Sequence, residues 1–192
     1  MNIFAKSAYK FIDRLLRPYE GLSREIFLVA SQLVPLVNIE IIATNKSRNA
    51  LILIYRHDSF YGPGWHLPGG IIRSREDAHE RLRKTLSKEM GIDLSQTSTV
   101  RCVGISQAID QQRPVRSHFI SLVFALDIND EDMPCMANPQ KMYMSGDIAS
   151  HRDVPTDLIE EHRKYQELIN TIMKGEDVNC YSIMKTLHTG RW

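Results

Sequence analysis

The stretch GGIIRSREDAHERLRKTLSKEMGI, residues 69–92, gathers glycines, lysines and carboxylates, residue types that can meet phosphate directly or through a metal. If it is helical, Thr85 and Glu89 are i, i+4 neighbours with Lys88 beside them, so these three share one patch. One carboxylate with a threonine and a lysine suits a single Mg²⁺, which keeps several waters and takes phosphate oxygens as ligands. Such a patch is too poor in carboxylates for two or three ions. Lys84 and Lys88 add point charges of the kind that meet phosphate. Glu89 would lie near a helix C-terminus, where the dipole disfavours a carboxylate, and this placement argues for a functional role. Glu76, at the other end, is expected to bond loop amides and hold the segment together.

The helix carrying these groups is expected over residues 76–90, with Ser74 near its N-cap and Gly91 as the C′ residue. Ala78, Leu82 and Leu86 fall on its core stripe. Residues 36–43 and 50–56 are β-rich runs joined by a turn signature at 45–49. Two further strands are expected at 99–108 and 117–128, and a short one at 142–144. A last amphipathic helix begins at Pro155, uses Leu158, Ile159, His162, Tyr165, Ile169 and Ile172, and stops at Gly175. At the N-terminus, residues 2–17 place Phe4, Ala8, Phe11, Ile12, Leu15 and Leu16 at helical spacing with basic residues opposite. Arg17-Pro18 and Gly21 end that helix, and Ser23 caps a second one running to about residue 33. The chain thus divides into an extension (1–21), one α/β domain (22–175) and a tail without periodicity (176–192). This order of elements suits an α/β/α sandwich around a mixed sheet.

The 192 residues are 43% hydrophobic and 24% charged with a formal net charge of +1, an ordinary globular composition. Such balance gives no reason to expect a nucleic-acid partner. The three cysteines, Cys102, Cys135 and Cys180, are scattered without metal-ligand spacing, which fits free thiols and a cytoplasmic setting. No apolar run approaches the roughly 20 residues needed to span a bilayer. The basic amphipathic first helix leaves contact with a membrane surface as the lesser alternative to packing on protein.

From Gly70 onward the stretch resembles a Nudix box, G-x5-E-x7-R-E-U-x-E-E-x-G-U with U aliphatic. Glu76, Leu86, Glu89, Gly91 and Ile92 match it, Lys84 conservatively replaces arginine, and Thr85 and Lys88 stand where glutamates are usual. The fold implied is the Nudix α/β/α sandwich. The box and its flanks resemble the GDP-mannose mannosyl hydrolase branch, through Leu22–Val29, Pro35–Val37, Tyr55-Arg56 and Trp65–Gly70. That resemblance spans roughly 22–166. It implies Mg²⁺ held by Glu89, the carbonyl of Gly69 and Gln140, with Arg56 on the diphosphate. It also implies Lys84 in the arginine's catalytic place, Glu40 in an aspartate's, and Phe27 lining the nucleotide site from a helix exchanged between the subunits of a homodimer.

Three positions depart from that branch. Lys141 replaces its general-base histidine, and a lysine of ordinary pKa is protonated at pH 7 and accepts no proton. His151 is the alternative base if the loop folds back. Ile71 replaces an arginine, for which Arg73 and Arg75 are nearby substitutes, with Arg73 the one carried as substrate-binding. Phe119 replaces a tyrosine. His118 reads as structural. The expected activity is hydrolysis of a GDP-sugar, GDP-mannose or GDP-glucose, with water attacking the anomeric carbon to release GDP and free hexose. A pyrophosphatase recruiting carboxylates from outside the box is the alternative, and so is a catalytically silent domain that binds a nucleotide-sugar.

Overall fold

The longest parallel pairing of the sheet joins β1 (Leu36–Asn45) to β6 (His118–Ile128), in register from Leu36–Phe119 to Asn45–Ile128. Almost every β1 residue is buried, as expected of a strand covered on both faces. The Asn45 side chain folds the next turn, accepting from the amides of Asn49 and Ala50 at 3.0 Å. This returns the chain as β2 (Leu51–Arg56), antiparallel to β1. β3 (Gly64–His66) pairs with β2, and β4 (Gly69–Ile71) pairs with β1. β5 (Thr97–Ile109) forms a long hairpin with β6, and β7 (Ile148–His151) pairs with β2. The path through the sheet is β3-β2-β1-β6-β5-β8, where β8 (Lys185–His188) runs parallel to β5.

The computed structural model describes residues 3–15, 22–176, 178 and 185–188. The helix stop at Arg17-Pro18 and Gly21, Cys180 and most of the 176–192 tail lie outside the described residues. α1 (Ile3–Leu15) and α2 (Arg24–Leu33) precede the sheet, and Ser23 caps α2 as its sequence indicates. Helices cover both faces of the sheet. α3 (Ala78–Thr85) buries Leu82, and with the following turn Leu86, against Ile39, Ile41, Ala43 and Ile52. α4 (Glu160–Arg163) and α5 (Gln166–Met173) lie over the other face, where Tyr165, Leu168, Ile169 and Ile172 meet Ile42, Leu51, Leu53 and Val123. The α/β/α sandwich is therefore realised. Among the described residues no helix is long and apolar enough to cross a membrane.

Four elements differ from their expected form. The box helix is capped by Asp77, which accepts from the Glu80 amide at 2.7 Å, rather than by Ser74. Residues 73–76 form a tight turn closed by Glu76 N–H to the Arg73 carbonyl, with Arg75 at φ +62°. From Leu86 to Met90 the helix widens into one π turn ending at Gly91, φ +68°. The short strand lies at 148–151, not 142–144: Met142 and Met144 are exposed in a turn held by the Met144 amide on Asp147. The last helix starts at Glu160 instead of Pro155 and breaks around Lys164-Tyr165. Within the tail, β8 forms where no strand pattern was legible.

Candidate active site

Gly69 is the pivot of the site. Ile41 N–H bonds the Pro68 carbonyl and Ile72 N–H bonds the Val37 carbonyl, so Gly69, opposite Glu40, occupies a non-hydrogen-bonded position of the β1–β4 ladder. Its amide and carbonyl turn away from β1, and the amide meets Glu89 Oε2 at 3.3 Å. A Cβ on Gly69 would come within 2.6 Å of the Ile39 carbonyl and 2.7 Å of Glu40 Oε2. Only glycine lets the chain pass this close to Glu40. Glu40 from β1 and Glu89 from the π turn thus flank one backbone segment.

Both carboxylates open into a cavity of about 550 Å³, whose lining also includes Arg56, His66, Lys88, Arg113, Arg116, His162 and Lys164. Burial pushes the Glu40 carboxyl up to about 8, and the nearby Glu89 charge adds to this; Lys164, the Asn38 bond and Arg56 oppose it. Burial also raises Glu89, against the Gly69 N–H, Lys88 and Arg56. A buried chain orients Glu40: Ser121 Oγ donates to Asn38 Oδ1 at 2.8 Å, and Asn38 Nδ2 donates to Glu40 Oε1 at 2.7 Å. His162 Nδ1 accepts from the Leu67 amide at 2.9 Å. The neutral ring therefore carries its proton on Nε2, which lies 3.6 Å from Glu40 Oε2. Burial first, then His66, Lys164 and Arg56, hold His162 well below the ordinary histidine range. His66, with Nδ1 2.6 Å from the Leu67 carbonyl, is lowered to about 4 by burial and by Arg56.

The donor set fits one divalent cation. Two carboxylates and a carbonyl turned away from its ladder surround Gly69, and burial of the acids favours a cation beside them. Among the described residues no group of three or more His, Cys, Asp or Glu side chains converges, and water and phosphate oxygens would complete an octahedron. Thr85 is buried under Gly70, and Lys88 lines the cavity next to Glu89.

Several expected residues lie elsewhere. Lys84 Nζ bonds Glu76 at 3.0 Å and Glu80 at 2.7 Å, outside the cavity lining. Glu76 is the clasp of the box, accepting from the Arg73 amide at 2.9 Å, Arg81 Nε at 2.8 Å and Lys84. Arg73 is exposed and does not line the cavity. Gln140 is exposed too, in a turn pinned by the Asn138 amide on the Tyr143 hydroxyl at 2.7 Å. Tyr143 packs on Trp65 at 4.6 Å, and Gln140 is not among the residues lining the cavity. Lys141 sits beside Asp147 and over the Tyr143 ring. His151 is buried in β7 against Trp65 at 4.4 Å and is not part of the lining. His118 bonds Gln107. Phe27 is not among the residues lining the cavity, and the Arg116 guanidinium lies 5.8 Å from its ring centroid. Arg56, Glu40, Gly69, Glu89, Ile71 and Phe119 do line the cavity. His162 and Lys164 were not foreseen as site residues, although a histidine on an otherwise apolar helix stripe is a legible anomaly. Arg113 and Arg116 had only their place in a hairpin turn to mark them.

The NUDIX domain family model matches residues 35–168, and the chain belongs to that family. Solved structures share the fold. A MutT NUDIX hydrolase from Burkholderia pseudomallei is 18% identical with a TM-score of 0.50, covering 70% of this chain and 97% of that one. A possible asymmetric diadenosine tetraphosphate hydrolase from Jonesia denitrificans is 13% identical, TM-score 0.52, covering 75% and 97%. A UDP-X diphosphatase is 15% identical, TM-score 0.53, covering 92% and 75%. No curated protein sequence matches the chain.

Proposed function

We propose that the protein is a Mg²⁺-dependent hydrolase of a GDP-sugar, GDP-mannose or GDP-glucose, releasing GDP and free hexose. The observation that carries this reading is the poverty of carboxylates at the box: Thr85 is buried, Lys88 enters the cavity, and Glu89 is left with Glu40 around Gly69. Glu89 and the Gly69 carbonyl would hold one ion, with Glu40 beside it. When bound, Mg²⁺ supplies charge neutralisation for the diphosphate. Arg56, which acts electrostatically on both Glu40 and Glu89, is placed to grip the departing diphosphate. Lys88 adds a second positive charge there. A site that stabilises a leaving diphosphate favours water attack on the anomeric carbon over attack on phosphorus. Glu40, oriented by Asn38 and faced by His162, is the acceptor for the water's proton once a bound cation offsets the burial that otherwise keeps its carboxyl protonated. It takes over the role that Lys141, paired with Asp147 outside the cavity, does not fill.

A second reading draws on Glu40 as well. It is a carboxylate from outside the box, which a pyrophosphatase would recruit as a metal ligand. Product analysis with GDP-mannose and Mg²⁺ separates the two: GDP plus hexose supports the proposal, and GMP plus hexose 1-phosphate overturns it. Binding without turnover would instead support a silent nucleotide-sugar module. The proposal includes a homodimer, supported by exposed Tyr9, Phe11 and Ile12 on α1 and Val29 and Leu33 on α2. Sedimentation equilibrium checks it, and a monomer at all concentrations would exclude it.

A further inference from the structure

Three arginines surround one ring at the other end of the cavity. The guanidinium carbons of Arg56, Arg113 and Arg116 lie 4.6, 4.9 and 5.3 Å from the Tyr61 ring centroid. Arg56 pairs with Asp58, and Arg113 pairs with Asp110 and with Glu161, each at 2.9 Å. Arg116 has no ion pair among the described residues, and its Nε is buried without a hydrogen-bond partner. Such an orphan donor is uncommon in a folded protein and marks a place for an acceptor. Its backbone is also in the left-handed region, φ +52°, a conformation a bulky residue adopts only when its surroundings impose it. The Arg116 amide donates to Ser31 Oγ at 3.0 Å, and Ser31 is itself buried and bonded to the Leu28 carbonyl. α2 and the β5–β6 hairpin are thereby tied together around this one side chain.

Aromatic rings are the other neighbours of this guanidinium. Phe60 lies 4.9 Å and Phe27 5.8 Å from its central carbon, in addition to Tyr61. Rings attract the cation without accepting ordinary hydrogen bonds from it, which leaves its N–H donors for a ligand. A guanidinium fork suits a planar pair of acceptors. Three guanidiniums face the three carboxylates of Asp58, Asp110 and Glu161, so the cluster as a whole is charge-balanced. What it lacks is acceptors rather than negative charge. Arg56 borders both ends: it acts electrostatically on Glu40 and Glu89 and also on Arg116. A diphosphate near Arg56 would leave the nucleobase to extend towards Arg116.

We infer that Arg116 selects the base of the bound nucleotide, taking the O6/N7 edge of guanine and rejecting adenine. This rests on the reading of the cavity as a nucleotide-sugar site and adds the residue that reads the base. Guanine presents two adjacent acceptors, O6 and N7, to a guanidinium fork. Adenine presents N7 beside the N6 amino donor, which meets the fork donor to donor. Hypoxanthine keeps the guanine edge.

Calorimetric binding of GDP, IDP and ADP in the presence of Mg²⁺ tests this, because the three share their phosphates and differ only in the base. The wild type is expected to bind GDP at least about tenfold more tightly than ADP, with IDP close to GDP. Arg116→Gln and Arg116→Lys should both lose that preference while ADP affinity stays within about twofold. Equal binding of GDP and ADP by the wild type overturns the inference without recourse to any variant. A preference that survives in both variants overturns it too. Equal weakening of GDP and ADP in the variants also overturns it, by assigning Arg116 to phosphate. Turnover is not part of the readout, so a base preference without hydrolysis refutes only the hydrolase reading, and hydrolysis without a preference refutes only this one.

Discussion

Glu40 and Glu89 reach the same glycine from different elements, and each is raised by burial. Two such carboxylates are tolerated together where a cation or a shared proton lies between them. Glu89→Gln and Glu40→Gln should therefore each lower kcat with a GDP-sugar by at least about 100-fold, and Glu89→Gln should also raise the Mg²⁺ concentration needed for half activity. Steady-state kinetics over a Mg²⁺ titration check this, and a Glu89→Gln variant with unchanged kcat would remove the carboxylate from the mechanism. At this scale the sequence was legible where a residue type is tied to the box or its flanks, as for Gly69, Glu89, Arg56 and Glu40. It was illegible where a side chain reaches the cavity through a bend that no local pattern records. His162 reads as part of an apolar stripe because it follows Leu158 and Ile159 at helical spacing. The helix break around Lys164 is what presents His162 and Lys164 to Glu40. Lys84 shows the converse: its spacing matches the motif, but Glu76 and Glu80 hold its ammonium group.

The π turn at Leu86–Met90 is the element that carries Lys88 and Glu89. Its wider winding rotates both residues relative to a continuing α-helix, and such turns recur at functional sites. Apolar spacing over five residues does not separate a π turn from an α turn, so this feature could not be read in advance. Its end could be, because Gly91 stands where a left-handed residue is needed and adopts φ +68°. A Cβ at Gly91 would meet nothing within 4 Å, so the backbone angle alone opposes substitution. Gly91→Ala should cost about 1 kcal/mol in urea unfolding and lower kcat by disturbing Glu89. An unchanged unfolding midpoint would show that the turn relaxes freely. The strands were legible because branched residues alternate or run together under two covered faces. The turn around Met142–Met144 was misread because Met142 and Met144 face solvent.

Across the molecule, buried titratable groups set opposing pH dependences. His66 is lowered to about 4 and His162 well below 6.5, so the unfolded chain takes up two protons as pH falls below 6.5 that the folded chain refuses. Their contribution is present above 6.5 and lost on the acid side. Glu40, raised from 4.5 to about 8, keeps a proton in the folded state, and its contribution is lost as pH rises towards 8. Glu89, raised, and His151, lowered, add one shift of each sign. On the acid side the three lowered histidines outnumber the two raised carboxylates, so proton uptake on unfolding prevails there. Without Mg²⁺, stability should peak near pH 6.5 and decline on both sides, and His66→Gln should flatten the acid side. Denaturation at several pH values checks both, and an acid side equally steep in His66→Gln would contradict the assignment of His66 as buried and neutral.

The box's shortage of carboxylates leads to one claim above the others, that water attacks carbon rather than phosphorus. Turnover of GDP-mannose with Mg²⁺ in H₂¹⁸O, followed by mass analysis of both products, reads the attacked atom directly. The account predicts ¹⁸O in the free hexose and unlabelled GDP, whereas ¹⁸O in GMP or in hexose 1-phosphate would contradict it.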